Sequence, residues 1–377
     1  MKVYHAEKTQ RQFLRVASHA AIFAAVVSLV LSAFFFVSAG PNAEVEMHFL
    51  DVGQGDGFLL KTAGGASLLI DAGPPAGTFK ESLSESLNIF DKSIDVIVAT
   101  HPDADHIGGM KWLIDRFNYG IYLDSFVTGT SKLFEEVEKM VGEDSAHRSE
   151  GGPNGNIEAA DVGARPKTNR LHAYEGMKMR ISDRDKNGKQ TGTPVEVQVL
   201  APSFKYVAEK IQKCKSKVDA KISRKNEKTK TGKSKSASRA EPDYRSCFPK
   251  DLMETNEMSV VMRVTHGENS VMMTGDAPVE MERYIIEQSK SDASGGLGLK
   301  SKTLKAGHHG SKTSTASDFV QAVSPDFAII SSGTSNKYGH PNQSVMETFQ
   351  KFGVKILRTD ELGTVTFYSD GNQMNSQ

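Results

Sequence analysis

The sequence predicts an α+β protein in which sheets stack as a sandwich, helices lie outside them, and a site is built on loops at one rim. Three observations predict it. Short apolar runs of strand length alternate with segments of helical periodicity. The strands repeatedly stop at loops rich in Gly, Asp and His. The chain has 377 residues, 38% hydrophobic and 24% charged, enough for one large domain or two ordinary ones with a packed core.

The elements follow in order. Val45 to Leu50 alternates as a strand and stops at Asp51-Val-Gly-Gln-Gly-Asp-Gly57. Phe58 to Leu60 and Ser67 to Ile70 read as strands, the second ending at Asp71-Ala-Gly73. Glu81 to Phe90 is helical in pattern, Ile94 to Ala99 is a buried strand ending at Thr100-His101, and Gly109 to Phe117 is a helix. Val195 to Leu200, Ser259 to Thr265 and Ser270 to Thr274 are strands; the turn His266-Gly-Glu-Asn269 joins the last two and places His266 in solvent. Phe327 to Ser331 and Val354 to Leu357 are further strands, each preceded by a helix.

Composition excludes several classes. Lys+Arg 46 equals Asp+Glu 46, so whole-chain charge points to no partner. Two cysteines, Cys214 and Cys247, exclude a disulfide-rich scaffold and a Cys-built zinc ribbon. The single long apolar run, Ala20 to Ala39, excludes a multi-span transporter. Lys2, Lys8, Arg11 and Arg15 precede that run, so residues 1–40 read as a hydrophobic helix, either a membrane anchor or a cleaved signal, and the body at 44–370 is expected outside the cytoplasm. Export would permit a Cys214–Cys247 disulfide. Residues 205–250 carry 15 Lys/Arg against 5 Asp/Glu and read as a basic, disordered insertion, either a tether for a polyanion or a solubilising loop.

The chemistry sits in three segments. His101-Pro-Asp-Ala-Asp-His106-Ile-Gly-Gly109 places four potential metal ligands within six residues, directly after a buried strand. Imidazole and carboxylate at that density suit Zn, Mn or Fe. Met272-Met-Thr-Gly-Asp276 ends another strand on a carboxylate able to bridge two cations roughly 3.5–4 Å apart. In Gly307-His308-His309-Gly-Ser311-Lys312 one histidine is expected to face a metal and its neighbour to face away, as neighbours do on extended chain.

The ordered set of Phe-Leu-Asp-Val-Gly-Gln-Gly-Asp (49–56), Leu-Ile-Asp-Ala-Gly (69–73), His-Pro-Asp-Ala-Asp-His (101–106), Thr-Gly-Asp (274–276), Gly-His-His-Gly-Ser (307–311) and Tyr-Gly-His-Pro (338–341) resembles the metallo-β-lactamase superfamily. It is similar in particular to the hydrolase domain of the ComEC group of competence DNA-uptake proteins. The resemblance implies a four-layer αβ/βα sandwich with two divalent metal ions, Zn or Mn, at one rim. It implies His101 and Asp103 on the first metal, Asp105, His106 and His308 on the second, and Asp276 between them. Asp71 would orient the ligand loop from behind. Asp103 stands where most of the superfamily has histidine, and this harder ligand favours Mn over Zn. Asn256 lies where the superfamily's third-motif histidine is expected and is a weaker ligand. Asp105 is the expected proton acceptor for the attacking water. His309, Ser311, Lys312 and His340 are expected to meet substrate oxygens.

The reading favoured is a metal-dependent hydrolase of phosphodiesterase or nuclease type, acting on a phosphodiester or nucleic acid. Lys312 and the hydroxyl run Ser311, Thr313, Ser314 and Thr315 favour phosphate over a neutral lactam. Two alternatives stay open: a hydrolase of another ester, lactam or thioester on the same fold, and a non-catalytic, metal-containing module that binds DNA or a partner.

Overall fold

Alternation of apolar residues builds both sheets. In the computed structural model, which describes residues 43–88, 91–144, 157–158, 169–185, 187–231, 254–290 and 298–376, Leu68 and Ile70 pack inward between the sheets while Leu69 packs outward against helices. The same parity holds across the molecule, with Val271 and Met273 inward and Met272 outward. Contacts group Glu44–Gln377 into one compact unit. The apolar run at 20–39 lies outside the described residues, as does 232–250 of the basic segment. Among the described residues no helix is long and apolar enough to cross a membrane.

The first sheet contains β1 (Val45–Phe49), β2 (Phe58–Thr62), β3 (Ser67–Ile70), β4 (Ser93–Ala99), β5 (Asn118–Asp124), β7 (Asn169–His172), β15 (Val365–Ser369) and β16 (Met374–Ser376). Its order is β16-β15-β1-β2-β3-β4-β5-β7. The second contains β6 (Ile157–Glu158), β8 (Lys178–Arg184), β9 (Gln190–Ala201), β10 (Val261–His266), β11 (Asn269–Met273), β12 (Thr303–Lys305), β13 (Phe327–Ile330) and β14 (Lys355–Arg358), in the order β14-β13-β12-β11-β10-β9-β8-β6. Both sheets are mixed: the first is antiparallel from β16 to β3 and parallel through β3-β4-β5-β7, and the second is parallel through β11-β12-β13-β14, antiparallel through β11-β10-β9-β8 and parallel again at the short edge pair β8-β6.

Helices cover the outer faces. Phe79 and Leu83 of α1 (Phe79–Ser86), Ile107 of α2 (Ala104–Ile107), Leu113 of α3 (Met110–Arg116) and Val137 of α4 (Lys132–Asp144) pack on the first sheet. Tyr206 of α5 (Phe204–Thr231), Met281 of α6 (Val279–Ser289), Phe319 of α7 (Ser317–Val323) and Phe349 of α8 (Gln343–Lys351) pack on the second. The result is the four-layer αβ/βα sandwich. Each large apolar side chain buried in these layers contributes about 1.5–3 kcal/mol.

Two expectations fail here. The basic segment does not begin as disordered chain: 204–231 is helix. Its Lys, Glu, Gln and Ala are strong helix formers, and Tyr206, Val207 and Ile211 anchor its first turns to the core. His266 is not in solvent; it is fully buried. The hairpin tip that carries it is capped by the chain at 369–373, with Glu268 N donating to Gly371 O at 2.6 Å. A side chain at Gly267 would meet that same carbonyl at 2.2 Å.

Candidate metal centre

Four strands end at one rim. β3 and β4 of the first sheet and β11 and β12 of the second deliver Asp71, His101, Asp276 and His308 there. Val260 N donates to Thr100 O at 2.9 Å and ties the two sheets together at this edge. After Thr100 the chain turns through extended Asp103 into the single turn α2, which carries Asp105 and His106. α3 starts close behind because Gly109 N donates to Ala72 O at 3.1 Å, and a Cβ at Gly109 would lie 2.4 Å from that oxygen.

The floor of the site is three histidines. The side chains of His101, His106 and His309 are at most 1% exposed. Their partners settle which nitrogen carries hydrogen. His106 Nδ1 donates to Asp71 Oδ2 at 2.8 Å, and Asp71 also accepts from Thr100 N at 2.8 Å and Thr100 Oγ1 at 2.7 Å. His101 Nδ1 donates to Thr100 Oγ1 at 3.0 Å. His309 Nδ1 faces Ser331 O and Asp56 Oδ1, each at 3.1 Å. The opposite nitrogens, Nε2 of all three, are buried without a hydrogen-bond partner. They converge on the Asp276 carboxylate at 3.8 Å for His101, 3.2 Å for His106 and 3.6 Å for His309. Bare imidazole nitrogens facing a buried carboxylate are unfavourable alone and become favourable around a cation. The donor set therefore fits a divalent metal, and Asp56, His106, Asp276 and His309 offer ligand atoms within 4.8 Å of one another.

The mouth is more open. Asp103, Asp105 and His308 have side chains 42%, 35% and 29% exposed. Asp103 Oδ2 lies 3.8 Å from His101 Nε2, and its Oδ1 accepts from Thr255 Oγ1 at 2.8 Å. Asp105 Oδ2 lies 3.4 Å from His309 Nε2. His308 Nε2 lies 3.5 Å from Asp276 Oδ2. The expectation that one of His308 and His309 turns away is corrected: both reach Asp276. The pair is not extended chain, because both residues are left-handed, with φ of 48° and 55°. Glu282 holds the loop that follows, accepting from Thr315 N at 2.6 Å and Ala316 N at 2.9 Å, and burial pushes its carboxyl up to about 7.

Asn256 reaches the His308 ring, 3.5 Å from Nδ1, and Thr313 Oγ1 lies 3.2 Å from the same nitrogen. Ser311 Oγ meets Thr313 Oγ1 at 2.9 Å, and Lys312 is exposed beside it. The His340 ring lies 5.7 Å from His308 and 6.5 Å from His309, centroid to centroid. Asp71, His101, Asp103, Asp105, His106, Asp276, His308 and His309 thus lie around one rim, with Asn256, Ser311 and His340 at its margin.

Electrostatics follow from burial opposed by charge. Desolvation works against the charged form of every floor group, yet carboxylates push His106 well above its usual value and His309 up to about 9. For His101 desolvation prevails, reinforced by nearby His106, and lowers it to about 4. Asp276 and Asp56 are buried, but the surrounding imidazoles, and Lys305 for Asp56, hold both carboxyls below the usual range. In the absence of a metal, protons would take the cation's place.

Asp56 and Lys305 were not expected as site residues. The Lys305 side chain is 2% exposed and forms a buried ion pair with Asp56 Oδ2. A signal for Lys305 exists in the sequence: a lysine within Thr303–Ala306, a stretch otherwise of strand character.

Residues 50–153 match the family model described as the metallo-beta-lactamase superfamily. The chain is 37% identical over 117 residues to ComE operon protein 3 of Bacillus subtilis, covering 31% of this chain and 14% of that protein. It is 37% identical over 115 residues to competence protein ComA of Neisseria gonorrhoeae, covering 30% and 16%. It is 39% identical over 117 residues to recombination protein 2 of Haemophilus influenzae, covering 30% and 14%. The chain thus spans about a sixth or less of the length of these relatives. Over residues 50–153 the sequence match agrees with the motif order and the four-layer architecture: the chain is similar to the metallo-β-lactamase superfamily and, over about 30% of its length, to a segment of these competence proteins.

Proposed function

We propose that the chain is a metal-dependent hydrolase of phosphodiesterase or nuclease type that works outside the cytoplasm. The observation that carries this reading is the convergence of three bare, buried imidazole nitrogens on Asp276. His101, Asp103 and His308 would hold one divalent ion, and Asp105, His106 and His309 a second, with Asp276 shared. His308 takes the place left by Asn256, which backs its ring instead of ligating. Bound there, Zn or Mn supplies Lewis acidity to a water and to a phosphoryl oxygen. Asp105, at the mouth, orients the attacking water and takes its proton. Asp71 and Thr100 fix the His106 and His101 rings from behind. Lys312, Ser311 and His340 border the mouth where phosphate oxygens would lie.

A polymeric substrate is supported by α5. Lys210, Lys213, Lys217, Lys221 and Arg224 recur at three- and four-residue spacing and form one basic stripe. The stripe starts at the site: Lys210 pairs with Glu257, in the turn Thr255–Met258 that also touches Asp103 and His308. Similarity to a ComE operon protein and a competence protein supports this reading. Cys214 of α5 is disulfide-bonded, which suits an oxidising compartment, and Cys247 lies outside the described residues.

The test is turnover of a chromogenic phosphodiester by purified protein with added Mn or Zn. Asp105→Ala is expected to abolish it, and equal rates in wild type and variant would end the mechanism. Turnover of a β-lactam or thioester alone would replace the substrate class, and no turnover of any substrate would leave a binding module. Reversing Lys213, Lys217 and Lys221 to Glu should weaken single-stranded DNA binding about tenfold or more at low salt and leave the small substrate untouched. Unchanged DNA affinity would remove the stripe from the reading.

A further inference from the structure

Asp56 has the credentials of a metal ligand, being a buried carboxylate within 4.8 Å of ligand atoms on His106, His309 and Asp276. Its geometry says otherwise. Asp56 Oδ1 lies 3.1 Å from His309 Nδ1, whereas Asp276 and Asp105 face Nε2 on the other side of the ring. Asp56 Oδ2 is likewise nearest to Nδ1 of His106, at 3.9 Å, and that nitrogen already donates to Asp71. Both Asp56 oxygens face a cationic partner at ion-pair distance, Oδ1 the His309 ring and Oδ2 the Lys305 ammonium.

The partners come from opposite sheets. Asp56 sits on the loop between β1 and β2, where its N donates to Asp105 O at 3.2 Å and its O accepts from Gly73 N at 2.8 Å. Lys305 is the last residue of β12. Its neighbours Leu304 and Ala306 pack outward among the helices, which turns Lys305 inward between the sheets. Ser331 closes the arrangement, accepting from His309 through its carbonyl and donating its hydroxyl to Gly55 O at 2.7 Å.

We infer that Asp56 and Lys305 form a buried cross-sheet buttress that positions His309, and that Asp56 is not itself a metal ligand. Ser331 O takes the hydrogen on Nδ1, and the Asp56 carboxylate, 3.1 Å from the same nitrogen, holds it there electrostatically, which keeps Nε2 bare and aimed at Asp276. Lys305 holds Asp56 in place and compensates its charge where water cannot. Asp56 therefore lies behind His309 as Asp71 lies behind His106, with the Ser331 carbonyl supplying the hydrogen bond that Asp71 itself supplies to His106. This inference rests on the proposed metal centre, and its test does not use turnover.

The experiment measures Mn and Zn binding by equilibrium dialysis, and proton NMR of the cobalt-loaded protein. The variants are Asp56→Asn and the double variant Asp56→Asn/Lys305→Met. The double variant replaces a neutral ion pair by two neutral side chains, so it avoids the cost of a lone buried lysine. Thermal unfolding of each variant confirms that it is folded. The expected result is the wild-type number of bound ions with one bound 10–100-fold more weakly. In the same variants, one hyperfine-shifted, exchangeable ring N–H signal, the one missing in His309→Gln, should vanish or exchange faster. A fall in the number of bound ions equal to that in His309→Gln would make Asp56 a ligand and overturn the inference. Unchanged affinity together with an unchanged N–H signal would overturn it as well. Wild-type protein that takes up no divalent ion would overturn the proposed function, and the buttress with it.

Discussion

Among the described residues buried histidine joins the sheets at both ends of β11, as a cluster of three at the rim and as the single His266 at the far end, and the two places differ in the carboxylates that surround them. At the rim, His101, His106 and His309 meet Asp56, Asp71, Asp103, Asp105 and Asp276. At the far end His266 meets one carboxylate, Glu44, at 3.4 Å, while Ser369 Oγ lies 2.7 Å from its Nδ1 and Asn269 Nδ2 donates to the same hydroxyl at 2.7 Å. Both places desolvate imidazole. At His309 the carboxylates prevail and raise its pKa to about 9; at His266 burial prevails and lowers it, against the pull of Glu44 and Asp370. Burial of histidine makes a structural clasp. Burial of histidine among several acids makes a cation site.

The largest expected effect tests the acids. Asp276→Ala should strip bound metal, read by elemental analysis, and lower phosphodiester turnover by about 10³-fold, the scale of losing a preorganised electrostatic group. Full metal content in that variant would break the distinction between the two places. A smaller effect is expected at the clasp. His266→Leu removes the partner of a buried hydroxyl and should cost about 1–3 kcal/mol in urea unfolding while bound metal stays at the wild-type level. Metal loss there would mean that the two ends are coupled.

The smallest effect is a pH dependence, and its sign follows from the lowered His266 pKa. The folded state disfavours protonated His266, so the unfolded chain binds the proton first as pH falls below the ordinary value of 6.5. The contribution of His266 to stability is complete above that value and declines below it. The stability gap between wild type and His266→Leu should therefore narrow on acidification from pH 7 to 5. A gap that widens would mean that Glu44 outweighs burial.

Much of the architecture could be read locally. Leu68-Leu69-Ile70 and Ile94 to Ala99 are dense apolar runs whose strand ends are marked by Asp71 and His101, so short-range pattern sufficed to place them. β5 carries no clear local signal because Asn118-Tyr-Gly-Ile-Tyr-Leu-Asp124 has mixed character, and pairing with β4 and β7 is what makes it a strand. α5 departs from the expected disordered chain because lysine suits both solvated chain and helix, and the contacts of Tyr206 and Val207 decide between them.

The sequence by itself determined the fold class, the order of the His/Asp segments and the chemical kinds of side chain available to a cation. These are properties of short stretches: side-chain period, strand-stopping loops and ligand spacing. Only the tertiary structure decided that His308 and His309 both face Asp276, that His266 is buried, and that Asp56 meets Lys305 between the sheets. The physical reason is that ring direction and ion pairing depend on left-handed backbone and on atoms brought together from distant parts of the chain. Burial then decides which protonation state each of those groups prefers.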